Sequence, residues 1–174
     1  NYKATFFDGE CAVIATDIPA EEQGTGMLFN MDGEVVGMIS SSVWNDTGKN
    51  VVNAYGISDL KPIIELLING KSVPYIGIYG TTVTEQLAEE HKMPSGIYVA
   101  DVDPDSPAMA AGIQIGDIIC EASGEEIKDI AAYQNIVIGS SVGETMEFVG
   151  KRLGSDGYVN IKFSVVTTEK EEVK

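Results

Sequence analysis

The feature that most constrains the fold of this 174-residue chain is an ordered series of short motifs after residue 74. In order, the series is Tyr75-Ile76-Gly77-Ile78, Ser106-Pro107-Ala108, Ala111-Gly112-Ile113 and Gly116-Asp117-Ile118-Ile119. In the first motif, a glycine between aliphatic residues lets the backbone approach a ligand and turn its N–H groups toward one point. Converging N–H groups bind carboxylates, so the motif predicts an anion-binding loop at the start of a strand.

Capping and turn signals around these motifs predict alternating short strands and helices as far as Val166. Thr82 and Glu85 form a capping box that opens a helix ending near His91. Ser106-Pro107 opens a helical turn that Gly112 closes, because proline suits the first helical position and glycine the position after the last. The other predicted elements are strands over Tyr75–Tyr79, Gly96–Val102, Asp117–Ala122, Thr145–Leu153 and Tyr158–Val166, and a helix over Asp129–Ile138. The charged residues from Thr168 onward are predicted to fray.

In this order the motifs resemble the PDZ domain, in the circularly permuted form found in bacteria. The resemblance implies that a peptide adds as a strand beside the strand after Gly77, with its terminal carboxylate on the N–H groups of Ile76 to Ile78. The candidate peptide-binding residues are Tyr75, Ile76, Gly77, Ile78, Gln134, Val137 and Ile138. Ordinary core packing is the alternative role for the three residues of the helix, above all for Val137.

The segment before these motifs predicts a group of short strands followed by one helix. Apolar runs at 4–7, 12–15, 27–29 and 35–39 are strand signals, and Asp32-Gly33 predicts a tight turn in a hairpin over Met27–Ser41. An apolar stripe at helical spacing follows, formed by Leu60, Ile63, Ile64, Leu67 and Ile68. Ser58 or Asp59 can cap this helix and Asn69-Gly70 can end it.

From about Ala12 to Val166 the sequence resembles the C-terminal portion of HtrA-type trypsin-like serine proteases. Ala15-Thr16-Asp17 and the run from Leu28 to Gly37 match the family pattern, but the position of the nucleophilic serine holds Gly24, with Thr25 beside it. The resemblance implies a mainly β fold with α: a partial trypsin-like β-barrel with a closing helix, then a PDZ domain. The corresponding ranges are 1–72, 73–168 and a charged tail over 169–174.

Three interpretations of the first segment stay open. The parent protein is a pseudoprotease whose barrel survives as a scaffold, or an active HtrA-like endopeptidase of which this is the C-terminal part. A third possibility is a β extension that packs on the PDZ domain. No catalytic residue is assigned, because Gly24 has no nucleophilic atom and catalysis needs a hydroxyl beside a base. His91, the chain's one histidine, matches no triad position.

Composition restricts the partners. The chain has 11 basic and 27 acidic residues, a net charge of −16, which disfavours nucleic acid as a partner. No apolar run approaches the roughly 18 residues of a membrane span. Cys11 and Cys120 lack metal-site spacing and predict two separate buried thiols, with a disulfide between them as the alternative. No metal and no cofactor are predicted.

The resemblance further implies an extracytoplasmic, bacterial protein of protein quality control. A partial barrel leaves open strand edges and apolar surface, which predicts association into homo-oligomers. A monomeric mass by light scattering at high concentration would count against that association.

Overall fold

The computed structural model describes residues 2–19, 24–43 and 51–170. The chain divides into two compact units, one formed by Asn1–Ala4 and Cys11–Asn69, the other by Thr5–Glu10 and Gly70–Lys174. The short stretch Thr5–Glu10 thus belongs to the second unit, although its neighbours on both sides belong to the first. The domain boundaries given above stay predictions.

Most residues of a five-stranded sheet, with the order β1-β2-β5-β4-β3, belong to the first unit, and β2, β5, β4 and β3 pair antiparallel. The strands are β1 (Tyr2–Phe6), β2 (Gly9–Pro19), β3 (Gly26–Phe29), β4 (Val35–Ile39) and β5 (Val51–Gly56). The predicted hairpin is present, since β3 pairs with β4 around a turn in which Gly33 has φ of 80°. Apolar side chains of this unit that are fully buried include Cys11, Val13 and Ala54.

Helix α1 (Ile57–Ile68) follows β5 directly and ends at Asn69, as predicted. The prediction that Ser58 or Asp59 caps it was wrong. Gly56 is the N-cap residue and no side chain caps the helix. The Asp59 carboxylate instead accepts a hydrogen bond of 2.7 Å from the backbone N–H of Ala12, which satisfies a strand donor. The predicted apolar stripe is only partly covered, because Ile68 is 75% exposed.

The second unit contains a six-stranded sheet in the order β12-β11-β9-β8-β7, with β10 paired to β9, and a separate two-stranded pair β13-β6. Its strands are β6 (Pro74–Tyr75), β7 (Ile78–Val83), β8 (Gly96–Val102), β9 (Ile118–Ala122), β10 (Glu125–Glu126), β11 (Thr145–Gly154), β12 (Gly157–Val166) and β13 (Thr168–Glu169). Its helices are α2 (Glu85–His91), α3 (Pro107–Ala110) and α4 (Ile130–Gly139). The mainly β fold with few helices is as predicted.

Three local predictions for this unit need correction. Thr84, not Thr82, caps α2 by accepting from the N–H of Leu87, while the Thr82 hydroxyl accepts from the N–H of Ile130 at 3.0 Å. The strand predicted from Tyr75 to Tyr79 breaks at Gly77, whose φ is 96°. The residues from Thr168 were expected to fray, but β13 pairs with β6 and orders Thr168 and Glu169.

Among the described residues, no helix has the length and apolarity needed to cross a membrane. Both thiols are free; Cys11 is buried as predicted, whereas Cys120 is only half-buried. Burial, reinforced by the nearby Asp59 carboxylate, raises the pKa of Cys11 to about 11. The Cys11 thiol is therefore protonated near neutral pH and acts as a small apolar side chain.

The second unit also buries one acidic side chain against a cation. Asp117 is fully buried, and its carboxylate accepts from Arg152 Nε at 2.6 Å, Arg152 Nη2 at 2.7 Å and the backbone N–H of Gln114 at 2.9 Å. Arg152 also donates to the carbonyl of Gly112 and lies over the ring of Phe163. The pair therefore ties strand β11 to the loop that precedes β9.

Replacing Arg152 with alanine leaves the Asp117 carboxylate buried without its cation, so we expect the free energy of unfolding to fall by at least about 3 kcal/mol. Urea denaturation measures this change. Lys162→Ala on the neighbouring strand β12 removes an exposed lysine and should change stability by less than about 0.5 kcal/mol. Equal effects of the two substitutions would contradict the assignment.

Candidate carboxylate-binding site

The second unit contains a loop whose backbone N–H groups converge on one point. We call the N–H groups of Ile76, Gly77 and Ile78, between β6 and β7, the carboxylate cradle. The loop is held from behind, because the carbonyls of Ile76 and Gly77 accept from the N–H groups of Ala108 and Asp103, both at 2.9 Å. Because these two carbonyls point toward Asp103 and Ala108, the N–H groups of the same peptide units point to the opposite side of the loop.

Gly77 is required for this geometry. Its φ of 96° lies in a region that side chains disfavour, and a Cβ there would stand 2.4 Å from the Cβ of Ser106. Ser106 is itself buried and caps α3 by accepting from the N–H of Met109. The Asp103-to-Ala108 segment therefore shapes the cradle by direct contact.

The cradle is occupied by the side chain of Asp8. The Oδ2 atom of Asp8 accepts from the N–H groups of Ile76 and Gly77, both at 2.7 Å, and its Oδ1 atom accepts from the N–H of Ile78 at 2.9 Å. A fourth donor comes from α4, because the Tyr133 hydroxyl donates to Oδ1 at 2.6 Å. One carboxylate thus accepts four hydrogen bonds from two sides of the site.

Asp8 is 7% exposed and Tyr133 is fully buried. Burial raises the pKa of Asp8, and the hydrogen bonds from Tyr133 and from the three backbone N–H groups offset part of that effect. Burial and the neighbouring Asp8 charge together raise the pKa of Tyr133 far above its usual range, so its hydroxyl remains a proton donor.

The backbone around Asp8 also bonds to the site. The N–H of Asp8 donates to the carbonyl of Ile78 at 2.7 Å, and the N–H of Glu10 donates to the side-chain Oε1 of Gln134 on α4 at 3.1 Å. Asp8 has φ of 61°, and a Cβ on Gly9 would stand 2.5 Å from the side-chain amide of Gln134. The Asp-Gly pair therefore turns within the narrow space between β7 and α4.

Aromatic side chains and one lysine flank the turn. The Phe7 ring meets the Tyr79 ring edge to face with centroids 5.8 Å apart. Lys170 Nζ lies 5.1 Å from the centroids of both the Phe7 and the Tyr75 rings, and 3.7 Å from Asp103 Oδ2. The Tyr75 hydroxyl donates to the same carboxylate.

The predicted site residues fall into three groups in the structure. Ile76, Gly77 and Ile78 form the cradle, and their two aliphatic side chains belong to the buried core. Gln134 contacts the turn at Glu10, whereas Val137 is buried in the core cluster and Ile138 is half-buried on the same helix. Tyr75 lies beside the cradle but donates to Asp103, not into it.

The first unit contains the positions compared with a protease nucleophile. Gly24 and Thr25 are exposed and precede β3, while the two residues before them, Glu22 and Gln23, lie outside the described residues. A Cβ on Gly24 would meet nothing within 4 Å, so packing does not demand glycine there. His91 belongs to the other unit, in the last turn of α2.

Sequence reasoning missed Asp8 and Tyr133. The signal for Asp8 was present, because Asp8-Gly9 is the same tight-turn dipeptide as Asp32-Gly33 and stands between two apolar runs. What the dipeptide could not show is that its carboxylate reaches a loop 68 residues away in the chain.

Comparison with known proteins agrees with this architecture. The sequence profile of the PDZ domain matches residues 98–152. A probable periplasmic serine endoprotease, DegP-like, of Halomonas elongata is 30% identical over 155 residues, which are 85% of this chain and 32% of that protein. The serine protease Do-like HtrA of Bacillus subtilis is 30% identical over 174 residues, covering 92% of this chain and 38% of that protein. The chain thus spans about a third of the length of these relatives.

Among solved structures, the HtrA-type protease AlgW with decapeptide is similar with a TM-score of 0.54 and 21% identity. The similarity covers 85% of this chain and 46% of the AlgW chain. At this identity the likeness concerns the fold alone.

Replacing Gly77 with alanine should destabilise the chain more than replacing Gly116 does. Both glycines have positive φ, 96° and 92°, so each alanine costs about 1–2 kcal/mol of backbone strain. Only at Gly77 does the new methyl group collide with Ser106, whereas the space around Gly116 is open. We expect Gly77→Ala to lower the free energy of unfolding, measured by urea denaturation, by about 1–3 kcal/mol more than Gly116→Ala does. Equal decreases would show that Ser106 moves away from the new methyl group without loss of stability.

Proposed function

We propose that this chain, which carries a PDZ domain within a sequence that matches HtrA and DegP serine proteases over most of its length, binds the C-termini of peptides and proteins. One observation carries the proposal: three backbone N–H groups and one phenol hydroxyl point at a single carboxylate position. Every unmodified peptide ends in a carboxylate, and hydrogen bonds to a charged acceptor are among the stronger ones in proteins.

The sheet beside the cradle supports strand addition. In the described part of the chain, β7 is the edge strand of its sheet, and the carbonyl of Ile78 faces the site, where it accepts from Asp8. An extended peptide can pair with such an edge while α4 closes the other side of the groove. Ile76, Ile78, Gln134, Val137 and Ile138 are the candidates for contact with its last side chain. Because this contact area is small, the affinity should be modest.

Binding rather than cleavage is the activity proposed for this chain. Gly24 offers no nucleophilic atom, and its backbone and surroundings would accept a larger residue, so glycine there reflects no packing requirement. Thr25 has a hydroxyl, but a secondary hydroxyl needs a neighbouring base to act as a nucleophile. The first unit contributes no imidazole, since the chain's one histidine is His91.

The name of one relative supports a proposal for the cellular location. The Halomonas protein is described as periplasmic, and we propose an extracytoplasmic location for this chain too. Its partners would be peptides or protein C-termini, with no cofactor. Self-association stays a prediction; exposed apolar side chains of the first unit, such as Phe29 at 57% and Ile68 at 75%, are consistent with it.

The second candidate function is that of the C-terminal part of an active HtrA-like endopeptidase. The names of the relatives favour it, because both are serine proteases and this chain spans only about a third of each. In that case a shift of one residue in the alignment would bring the Thr25 hydroxyl to the expected nucleophile position.

Peptide binding is tested with a library of peptides that carry random C-terminal residues and free carboxylates. We expect selected peptides to lose at least tenfold in affinity when their C-terminus is amidated, because an amide places an NH2 group against the donors of the cradle. Fluorescence polarisation measures both forms. Equal affinity for the free acid and the amide would show that the cradle does not bind the carboxylate of the peptide.

Casein hydrolysis separates the two candidate functions. We expect no turnover above the protein-free blank from this chain, and none that depends on Thr25. The same assay on the full-length parent decides the alternative: robust turnover that Thr25→Ala abolishes would establish an active protease with an unusual nucleophile.

A further inference from the structure

The turn that fills the cradle carries both groups that the last residue of a bound peptide would present. We propose that Phe7-Asp8-Gly9 is an intramolecular ligand, which occupies the carboxylate cradle and must leave before a peptide C-terminus can bind. This inference rests on the proposed function, since it names the same cradle as the site of regulation.

Asp8 occupies every hydrogen-bond donor of the site. Each oxygen of the Asp8 carboxylate accepts two hydrogen bonds, at distances between 2.6 and 2.9 Å, so all four donors are used. Asp8 is 7% exposed, which leaves no room for a second carboxylate beside it. A peptide terminus and Asp8 therefore compete for the same four donors.

Asp8 also makes the hydrogen bonds expected of the last residue of an added strand. A terminal residue added beside β7 offers a carboxylate to the loop and one backbone N–H to the first carbonyl of the strand. Asp8 does both, because its own N–H donates to the carbonyl of Ile78 at 2.7 Å. Its side chain supplies the carboxylate that an internal residue otherwise lacks.

Simple packing is the alternative explanation for the position of this turn. An apolar side chain would fill a gap between β7 and α4 without burying a charge, and an isolated buried carboxylate is expensive. Here the turn also bonds to α4 through the Glu10 N–H and Gln134, and Gly9 leaves room for the Gln134 side chain. The turn thus contacts both β7 and α4, as a ligand bound in the groove between them would.

The effect on affinity follows from the occupied fraction. If the turn fills the cradle in nine of ten molecules, only a tenth of the protein can bind a peptide, and the apparent dissociation constant rises tenfold. Removing the Asp8 carboxylate abolishes this competition while leaving the cradle itself unchanged.

The test compares the wild-type chain with Asp8→Ala and Asp8→Asn; the second keeps the shape of the side chain and loses its charge. Asp17→Asn is the matched control, because it removes the same charge from an exposed aspartate of β2. The probe is a free-carboxylate peptide selected from the library against the Asp8→Ala chain. We expect at least tenfold tighter binding by both Asp8 variants and no change for Asp17→Asn.

A second measurement needs no peptide. In the wild-type chain the N–H groups of Ile76, Gly77 and Ile78 are bonded to Asp8, so their hydrogen exchange, followed by NMR, should be at least tenfold faster in both variants. The N–H of Val99, which bonds to the carbonyl of Asp117, should exchange at an unchanged rate and so report on folding.

The outcomes separate the two proposals. Peptide binding that is unaffected by Asp8→Ala, or unchanged exchange of the three cradle N–H groups, overturns the intramolecular ligand and leaves the proposed function standing. If neither Asp8 variant binds any free-carboxylate peptide although its cradle N–H groups exchange faster, the proposed function fails, and competition for chain ends fails with it.

Discussion

The close contact between Gly77 and Ser106 is the constraint on which the site depends. Because Gly77 lacks a Cβ, its backbone lies against the buried cap of α3 at positive φ, and the carbonyls of Ile76 and Gly77 bond to the segment behind them. Three N–H groups are left to face the groove together. Backbone donors held in this way need no reorganisation when a carboxylate binds, whereas ordering flexible side chains for the same purpose would cost conformational entropy.

Much of the second unit could be predicted from the sequence because its signals are local. Ser106 and Asp129 cap α3 and α4, and Gly96–Val102 is a strand with the predicted bounds. The errors arose where a tertiary partner competed with a local preference. Thr82 has the right spacing for a capping box, yet its hydroxyl bonds to the N–H of Ile130, and Thr168 is held by pairing with Tyr75.

The residues of the candidate site also divide into those that a local pattern predicts and those that only a tertiary contact reveals. The motif around Gly77 predicted the three converging donors, because glycine lets the backbone turn its N–H groups toward one point and the later motifs follow in the order of a PDZ domain. The Asp8-Gly9 dipeptide predicts a turn but not its contact with the cradle, which joins residues 68 positions apart. Tyr133 contacts Asp8 across 125 positions, and no local pattern encodes such a distance. Arg152 and Asp117 are a similar case: the motif contains Asp117, but its cation comes from β11, 35 residues later.

The position of Asp8 within a hairpin has one more consequence. A ligand attached to its own receptor acts at an effective concentration, on the order of millimolar for a short flexible connection. If Asp8 is an intramolecular ligand, this effective concentration sets the concentration and affinity that a free chain end needs in order to displace the turn. Chain ends that bind too weakly or are too dilute do not displace it. The groove would then respond to abundant or multivalent chain ends and not to isolated peptides at low concentration.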